Sequence, residues 1–510
     1  MNTLATVKAA AVDGRLSNPW WRQSQLQSLH HGLVQASDVL INAILQDSNF
    51  ITPPEAHVEL HLAIKTVEHH YTALKPESEV EDEYRILQRD TPDRREAFGI
   101  AVIVPTSHTY LFSVVSAVSA ALAAGNCIVL KTENHLSRLP HLLQQILRQS
   151  LDGDIFAAAV KIPEEATHSS HRWLQVLQNG LGSGSTSAKA AITPSPNGNA
   201  LISPVQSRVV AVVDRTADTG QAAKALVTAR FAFGGSSPYA PDLVLVNEFV
   251  KTKFVEAVER EAAHYLNAGG NSEKTVDSGT SVEHQHDPGD VFRQTMVKLE
   301  RDSNAQILTS GPRGAVLEVN SRQSALFRRR LDDRVLVVHD ISSLDDAIDS
   351  INISDSDDVA ALYAFADVSS AKYLCQFIRT SAAFVNHIPI ELLVGPATPL
   401  NHPMLVSLRY TTEFFSVPRP QYISPPADSA RLLRIIERNT EDKQDLLATL
   451  STGSKAASHS PNRSPGGGLG FFEQGIVIGL VLFFSPVLVG LIYLGVSKTS
   501  TALRSLPHLF

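Results

Sequence analysis

Cysteine is nearly absent from this chain. Its 510 residues hold two, Cys127 and Cys375, too few for a disulfide framework and suited to a reducing compartment. Positive charge is not in excess either. The formal net charge is -8, which gives no ground for nucleic-acid binding. The opening residues, MNTLATVKAAAVDGRL, lack a long apolar core and carry Asp13, so no signal peptide is expected. Metal-ligand spacing is missing as well. His30, His31, His57, His61, His69 and His70 crowd the N-terminal region, and His57 and His61 would share a helix face one turn apart. No acidic or cysteine partner stands at ligand spacing, so these histidines read as solvated surface and not as a metal site. Charged residues make up 19% and hydrophobic residues 43%, a globular balance with length for two or three domains.

What is present is clearest from Phe98 to Lys131. Ile100 to Val104 is a β-branched run between Gly99 and Pro105, which predicts a buried strand. Tyr110 to Ala124 is small and apolar with interleaved serines, a buried helix stopped by Gly125-Asn126. Cys127 to Leu130 is a second strand, ending on Lys131. Strand, helix and strand of this length predict a right-handed crossover with parallel strands, whose C-terminal ends are the usual place for ligands.

Around this unit, helical spacing predicts helices from Leu26 to Leu45 and from Val58 to Leu74, separated by Pro53-Pro54. Glu77 to Arg95 is highly charged and reads as a surface connection or edge strand, and His135 to Ser150 as an amphipathic helix. Gly180 to Asn199 is rich in Gly, Ser and Pro. It reads as a flexible loop, with a phosphate cradle as the alternative, since no clear strand precedes its GLGSGS and no apolar helix follows. Strands are expected at Val209 to Val213, Asp242 to Val246, Arg334 to Val338, Ala360 to Ala366 and Ala382 to Asn386. Helices are expected from about Gln221 to Phe231, then Glu248 to Leu266, Ser343 to Ile351 and Ser370 to Arg379. Residues 452 to 470 have the composition of a disordered linker. Gly475 to Val496 carries no charged residue. As a helix it would cross a hydrocarbon core of roughly 30 Å, and it predicts a tail anchor whose bulk faces the cytosol.

The frame at Phe98 to Lys131 resembles the aldehyde dehydrogenase superfamily. There a strand runs into a Pro-Trp-Asn turn, a helix ends in Ala-Leu-Ala-Ala-Gly-Asn, and a further strand ends in a lysine that holds the cofactor's ribose. ALAAGN stands at Ala121 to Asn126, followed by Lys131, while the turn reads Pro105-Thr106-Ser107. Asp214 to Asp218 resembles the family's Asp-Ala-Asp turn. Phe233 to Pro238 resembles its nucleophile segment, and Arg409 to Tyr422 its closing segment. The resemblance implies an α/β fold with a Rossmann-type cofactor domain, a second α/β domain and, from the apolar run, one C-terminal transmembrane helix. The implied division is 1–206, 207–390, a closing segment at 391–450, a linker at 451–472 and the membrane helix at 474–496. It further implies NAD or NADP as cofactor and a homo-oligomer.

Aldehyde oxidation needs a thiolate, an oxyanion donor, a carboxylate base and cofactor grips. By resemblance the oxyanion donor falls at Ser107, the base at Pro204, and the nucleophile at Pro238 with Ser237 beside it. A slip of one residue would offer Ser237 or Ser203. The second ribose grip falls at Arg330 and its companion phenylalanine at Asp332. Only Lys131 keeps the expected group. Cys127 and Cys375 read as buried structural thiols. The expectation is a tail-anchored, aldehyde dehydrogenase-like protein without the chemistry, binding or scaffolding at a membrane. An active NAD(P)-dependent oxidoreductase on hydrophobic aldehydes is the alternative.

Overall fold

The N-terminal helices form because their ends are chemically marked. Helix α1 is Thr3–Asp13, α2 is Pro19–Gln35, α3 is Ser37–Asp47 and α4 is Pro53–Ala73. Asn18 caps α2, its side chain accepting from the backbone N–H groups of Trp20 and Trp21 at 3.0 and 3.3 Å. Thr52 and Glu55 make a capping box at the start of α4, with Pro53 as its first residue, where a missing N–H costs nothing. This computed structural model describes residues 3–48, 50–84, 90–132, 137–163, 173–180, 199–205, 207–267, 305–352, 359–422, 424–426, 428–437 and 474–486.

The charged stretch after α4 is a helix first, α5 (Pro76–Tyr84), and then a short strand, β1 (Arg95–Ala97). It therefore corrects the expected connection by one element. The crossover unit has the expected bounds: β2 (Ile100–Val104), α6 (Tyr110–Ala124) and β3 (Cys127–Lys131). Residues Leu111 to Ala123 of α6 are all buried. Its buried serines stay satisfied by bonding backwards: Ser113, Ser116 and Ser119 donate to the carbonyls of His108, Ser113 and Ser116 at 3.0, 3.3 and 3.2 Å. Each fully buried Leu or Val here contributes about 1.5–3 kcal/mol. Gly125 ends the helix with φ 95. A Cβ there would add strain in the left-handed region and stand 3.1 Å from the carbonyl oxygen of Leu16. Asn126 then accepts from the Gly99 N–H and donates to the Phe415 carbonyl, both at 2.9 Å.

Helix α7 (Arg138–Ser150) leads to β4 (Phe156–Ala159), β5 (Trp173–Leu177) and β6 (Asn199–Ile202). These strands complete a parallel sheet of order β4-β3-β2-β5-β6. The chain moves outward from β2 in one direction and then in the other. The loops after β2 and β5 therefore bound a switch point of the doubly wound kind. A strand does precede Gly180, contrary to the sequence expectation. Residues 181–198 lie outside the described residues.

The second sheet is built from β7 (Arg208–Val213), β8 (Leu243–Asn247), β9 (Ala305–Gly311), β10 (Gly314–Val319), β11 (Val335–Ile341), β12 (Val359–Phe365) and β13 (Ala383–Val385). Its order is β13-β12-β7-β8-β11-β10-β9, parallel except for β9. Four helices accompany it: α8 (Thr219–Phe231), α9 (Lys251–Asn267), α10 (Leu344–Asn352) and α11 (Val368–Phe377). The central strands β7, β8 and β12 are buried throughout, as parallel strands covered on both faces should be. In the closing segment, β14 (Ser416–Pro418) pairs antiparallel with β1.

The chain divides into two units, Met1–Ser424 and Pro425–Phe510. In the second, α12 (Ser429–Glu437) exposes Leu432, Leu433 and Ile436, and a helix covers 474–486 with its apolar side chains exposed. Among the described residues no helix is long and apolar enough to cross a membrane. The rest of the predicted anchor, 487–496, and all of the predicted linker lie outside them.

Candidate functional site

Three turns meet where the resemblance places the chemistry. The first, Pro105 to Thr109, leaves the end of β2. The second, Phe233 to Pro238, follows α8 and carries three consecutive left-handed residues, Phe233 (φ 49), Gly234 (φ 77) and Gly235 (φ 75). Glycine suits that conformation, and a Cβ on Gly235 would stand 2.9 Å from the Arg334 backbone nitrogen. The third, Leu392 to Thr398, belongs to the closing part of the unit. Backbone and side-chain hydrogen bonds tie them. The Gly395 N–H donates to Thr109 Oγ1 at 2.7 Å, and Tyr239 Oη donates to Thr398 Oγ1 at 3.1 Å. Arg409 donates to the carbonyls of Leu392 and Val394 and lies 5.2 Å over the Tyr239 ring, a favourable placement for a desolvated cation.

At the oxyanion-donor position, Ser107 is exposed, and its neighbour His108 makes the contacts instead. His108 is buried. Its Nδ1 is 2.9 Å from Ser236 Oγ and its Nε2 is 2.9 Å from the Leu393 carbonyl oxygen. Burial pulls its pKa down to about 4, against the Leu393 hydrogen bond and helped by the cations Arg330 and Arg409. The ring is therefore neutral near pH 7. A carbonyl only accepts, so Nε2 carries the proton, and Nδ1 accepts from the Ser236 hydroxyl.

The positions that the resemblance gives the base and the nucleophile are both proline. Pro204 has neither carboxylate nor hydroxyl. Ser203, one residue away, is buried and donates to the Ala397 carbonyl at 2.7 Å. Pro238 has no nucleophilic atom. Ser237 is buried, its hydroxyl oxygen accepting from the Tyr239 N–H at 3.2 Å. Above this pair lies Arg330. Its guanidinium donates to the carbonyls of Ser237 and Pro238, both at 3.3 Å, and pairs with the exposed Asp332 at 3.1 Å. The structure thus brings Ser237, Pro238 and Arg330 together and sets His108, not Ser107, against the same turn. The charge reversal at Arg330 was legible in the sequence. Its attachment to the nucleophile turn was not, nor was the role of His108, whose only signal was its place one residue beyond Ser107.

The resemblance implies NAD or NADP, and the residues present can be tested against it. Lys131 ends β3, half-buried, at the expected ribose position. At the switch point the loops are stitched together: Asn179 donates to the Pro105 carbonyl at 2.8 Å, and Gln178 accepts from the Thr106 N–H at 3.2 Å. The second ribose grip is a cation already bonded to main-chain carbonyls. Of the two ribose positions that the resemblance gives, Lys131 keeps a lysine and Arg330 is engaged with the nucleophile turn, so no chemical step is routed through the cofactor. The thiols offer no substitute. Cys127 is buried and burial pushes its pKa up to about 12. Cys375, on α11, is only half-buried, more exposed than expected, and burial still raises its pKa.

A cavity of about 1040 Å³ opens at the other ends of β2 and β3, lined in part by Leu16, Arg22, His70, Phe98, Gly125 and Cys127. None of the positions assigned above lines it. The N-terminal histidines resolve differently from one another. His57 is exposed and bonds the Pro53 carbonyl, whereas His70 is buried, with burial lowering its pKa to about 3. Among the described residues no cluster could hold a metal ion.

Two doubly wound sheets joined at these turns define an α/β scaffold of the dehydrogenase kind. The family model described as "Aldehyde dehydrogenase family" matches residues 3–396, and the chain belongs to that family. It is 24% identical over 416 residues to aldehyde dehydrogenase family 3 member B2 of Mus musculus, covering 78% of this chain and 83% of that one. It is 22% identical over 373 residues to the dimeric NADP-preferring aldehyde dehydrogenase of Canis lupus familiaris, covering 70% and 79%. Among solved structures it is similar to substrate-bound AldH of Staphylococcus aureus, with TM-score 0.64 and 16% identity over 86% of this chain and 100% of that one. The NADP complex of glyceraldehyde-3-phosphate dehydrogenase GapN from Methanocaldococcus jannaschii gives TM-score 0.60 and 15% identity over 82% and 92%. At such identities these likenesses show the fold alone.

Proposed function

We propose that this family member does not oxidise aldehydes and acts instead by binding or scaffolding at a membrane. The observation that carries the reading is the nucleophile turn: proline at position 238, with the Arg330 guanidinium bonded to the carbonyls of Ser237 and Pro238. Proline at position 204 supports it, as does the absence of both thiols, Cys127 and Cys375, from the nucleophile turn. The apolar run Gly475–Val496 supports a C-terminal anchor with the bulk of the chain facing the cytosol. We propose a domain division at 206/207 and 390/391, and the assignment of β2 to β6 to one sheet and β7 to β13 to the other supports it. Self-association rests on the relative described as dimeric.

The test is turnover by the full chain in detergent, with NAD or NADP and octanal or benzaldehyde. No reduced cofactor is expected. Cofactor reduction that depends on the aldehyde would overturn the reading in favour of an active oxidoreductase. A thermal unfolding midpoint raised by NAD alone would keep cofactor binding while leaving oxidation absent. For the anchor, the full chain is expected in the membrane fraction and a chain ending at residue 450 in the soluble fraction. Equal distribution of the two would sink that part.

A further inference from the structure

Helix α12 separates an oily side from a basic one. It is nine residues long, Ser429–Glu437. Leu432, Leu433 and Ile436 are 46%, 54% and 76% exposed, an apolar cluster with nothing over it among the described residues. At about 100° per residue these three fall within an arc of about 100°. Arg434 stands about 150° from the middle of that arc. It is exposed, its Nε donates to the Ala430 carbonyl at 3.1 Å, and it pairs with no carboxylate among the described residues. The sequence repeats arginine at 431, 434 and 438, spacings of three and four that belong to one helix side. Aliphatic residues on one side and arginines on the other are what a helix seated on a lipid surface needs.

We propose that α12 lies in the plane of an anionic bilayer surface, with Leu432, Leu433 and Ile436 in the acyl boundary and the arginines among the headgroup phosphates. The proposal rests on the reading of Gly475–Val496 as an anchor, and adds to it a second contact that depends on lipid charge. Two observations favour lipid over a protein groove. Residues 438–473 separate α12 from the helix at 474–486, a stretch that no conformation extends beyond about 130 Å. An anchored chain therefore presents α12 to the bilayer intramolecularly, where a weak contact suffices. The other observation is composition. No aromatic residue occurs in 429–437, whereas aromatics lead and leucine is scarce among the residues that carry protein–protein affinity.

Charge sets the size of the effect. Each arginine near an anionic surface is worth about fivefold in partition. Asp428 and Glu437 offset two of the three arginines, so adding anionic lipid gains about fivefold net. An apolar anchor inserts whatever the headgroups, so the seat of α12, and not insertion, answers to lipid charge. The chain would then be held to any bilayer by its tail and drawn down onto an anionic one by α12.

The experiment places the full chain in vesicles of phosphatidylcholine, alone or mixed with phosphatidylserine. Flotation confirms insertion, and amide hydrogen exchange is followed in the peptide covering 429–437. Exchange is expected to be about fivefold slower with phosphatidylserine than without. Leu433→Glu combined with Ile436→Glu should abolish the slowing while the chain still floats, and Arg434→Glu should erase the difference between the two lipids. A check that needs no variant is salt, which should shrink that difference as ionic strength rises. Equal exchange in both vesicles overturns the proposal. So does protection already complete in detergent, which would mean that a protein surface or a second copy covers the face. A chain that does not float fails the anchor reading and this proposal together, whereas a chain that floats with α12 unprotected fails this proposal alone.

Discussion

Replacing Glu59 by glutamine should make the protein more stable, and more so the higher the pH. Glu59 lies on α4, is 1% exposed, and accepts the Phe112 N–H at 3.2 Å in the first turn of α6. Burial raises its pKa from 4.5 to about 7, against the backbone donors Phe112 and Leu111. Its folded-state value therefore lies above its unfolded one. Between those values the folded protein binds more protons than the unfolded chain, so stability falls as pH rises through this window and the full penalty stands above pH 7. At about 1.36 kcal/mol per pKa unit the whole penalty is about 3 kcal/mol, of which about 2.5 kcal/mol falls between pH 5 and pH 8. Glutamine keeps a carbonyl oxygen for the Phe112 N–H and carries no charge. Urea unfolding of parent and Glu59→Gln at both pH values measures the effect. His70 and His108 also titrate with lowered values, but in both proteins, and cancel in the difference. A gap between parent and variant that stays constant from pH 5 to pH 8 would refute the assignment of the penalty to this carboxylate.

Three further outcomes follow from buried contacts. Asp242 pairs with Arg230 at 3.3 Å and accepts the N–H groups of Val209 and Leu331, so Asp242→Ala should strand a buried guanidinium and cost about 3–5 kcal/mol in urea unfolding. Gly395→Ala places a Cβ 2.5 Å from Phe112 Cε1 at φ +91. That overpacking and strain should cost at least about 2 kcal/mol, read as a lowered thermal midpoint. In thiol labelling at pH 8, Cys375 should react before Cys127. The Cys127 pKa is pushed up to about 12, so its labelling should appear only on unfolding, and rapid native labelling of both thiols would contradict its burial.

The legible part of the fold was the part whose partners are close in sequence. β2, α6 and β3 could be bounded from Gly99, Pro105 and Gly125, because one apolar run after another is closed by a residue that cannot continue it. The hairpin β9–β10 could not be read that way. β9 mixes half-buried and exposed positions with no fully buried residue, so it lacks the continuous apolar run of its parallel neighbours. β5 was missed because Gln175 interrupts a five-residue strand, too short for its pattern to show.

The residues at the positions that the resemblance assigns were legible in the sequence and their contacts were not, for the same reason. A residue is visible at its own position, as proline is at 204 and 238. Its partners come from elsewhere: Arg330 reaches Pro238 across 92 residues of chain, and His108 reaches Ser236 across 128. Restoring one reactive residue would therefore leave the surroundings unchanged. A cysteine at position 238 would still sit under the Arg330 guanidinium, with no carboxylate at position 204 to activate water. The proposed loss of dehydrogenase chemistry therefore rests on several positions at once, with Arg330 and His108 both bonded to that turn.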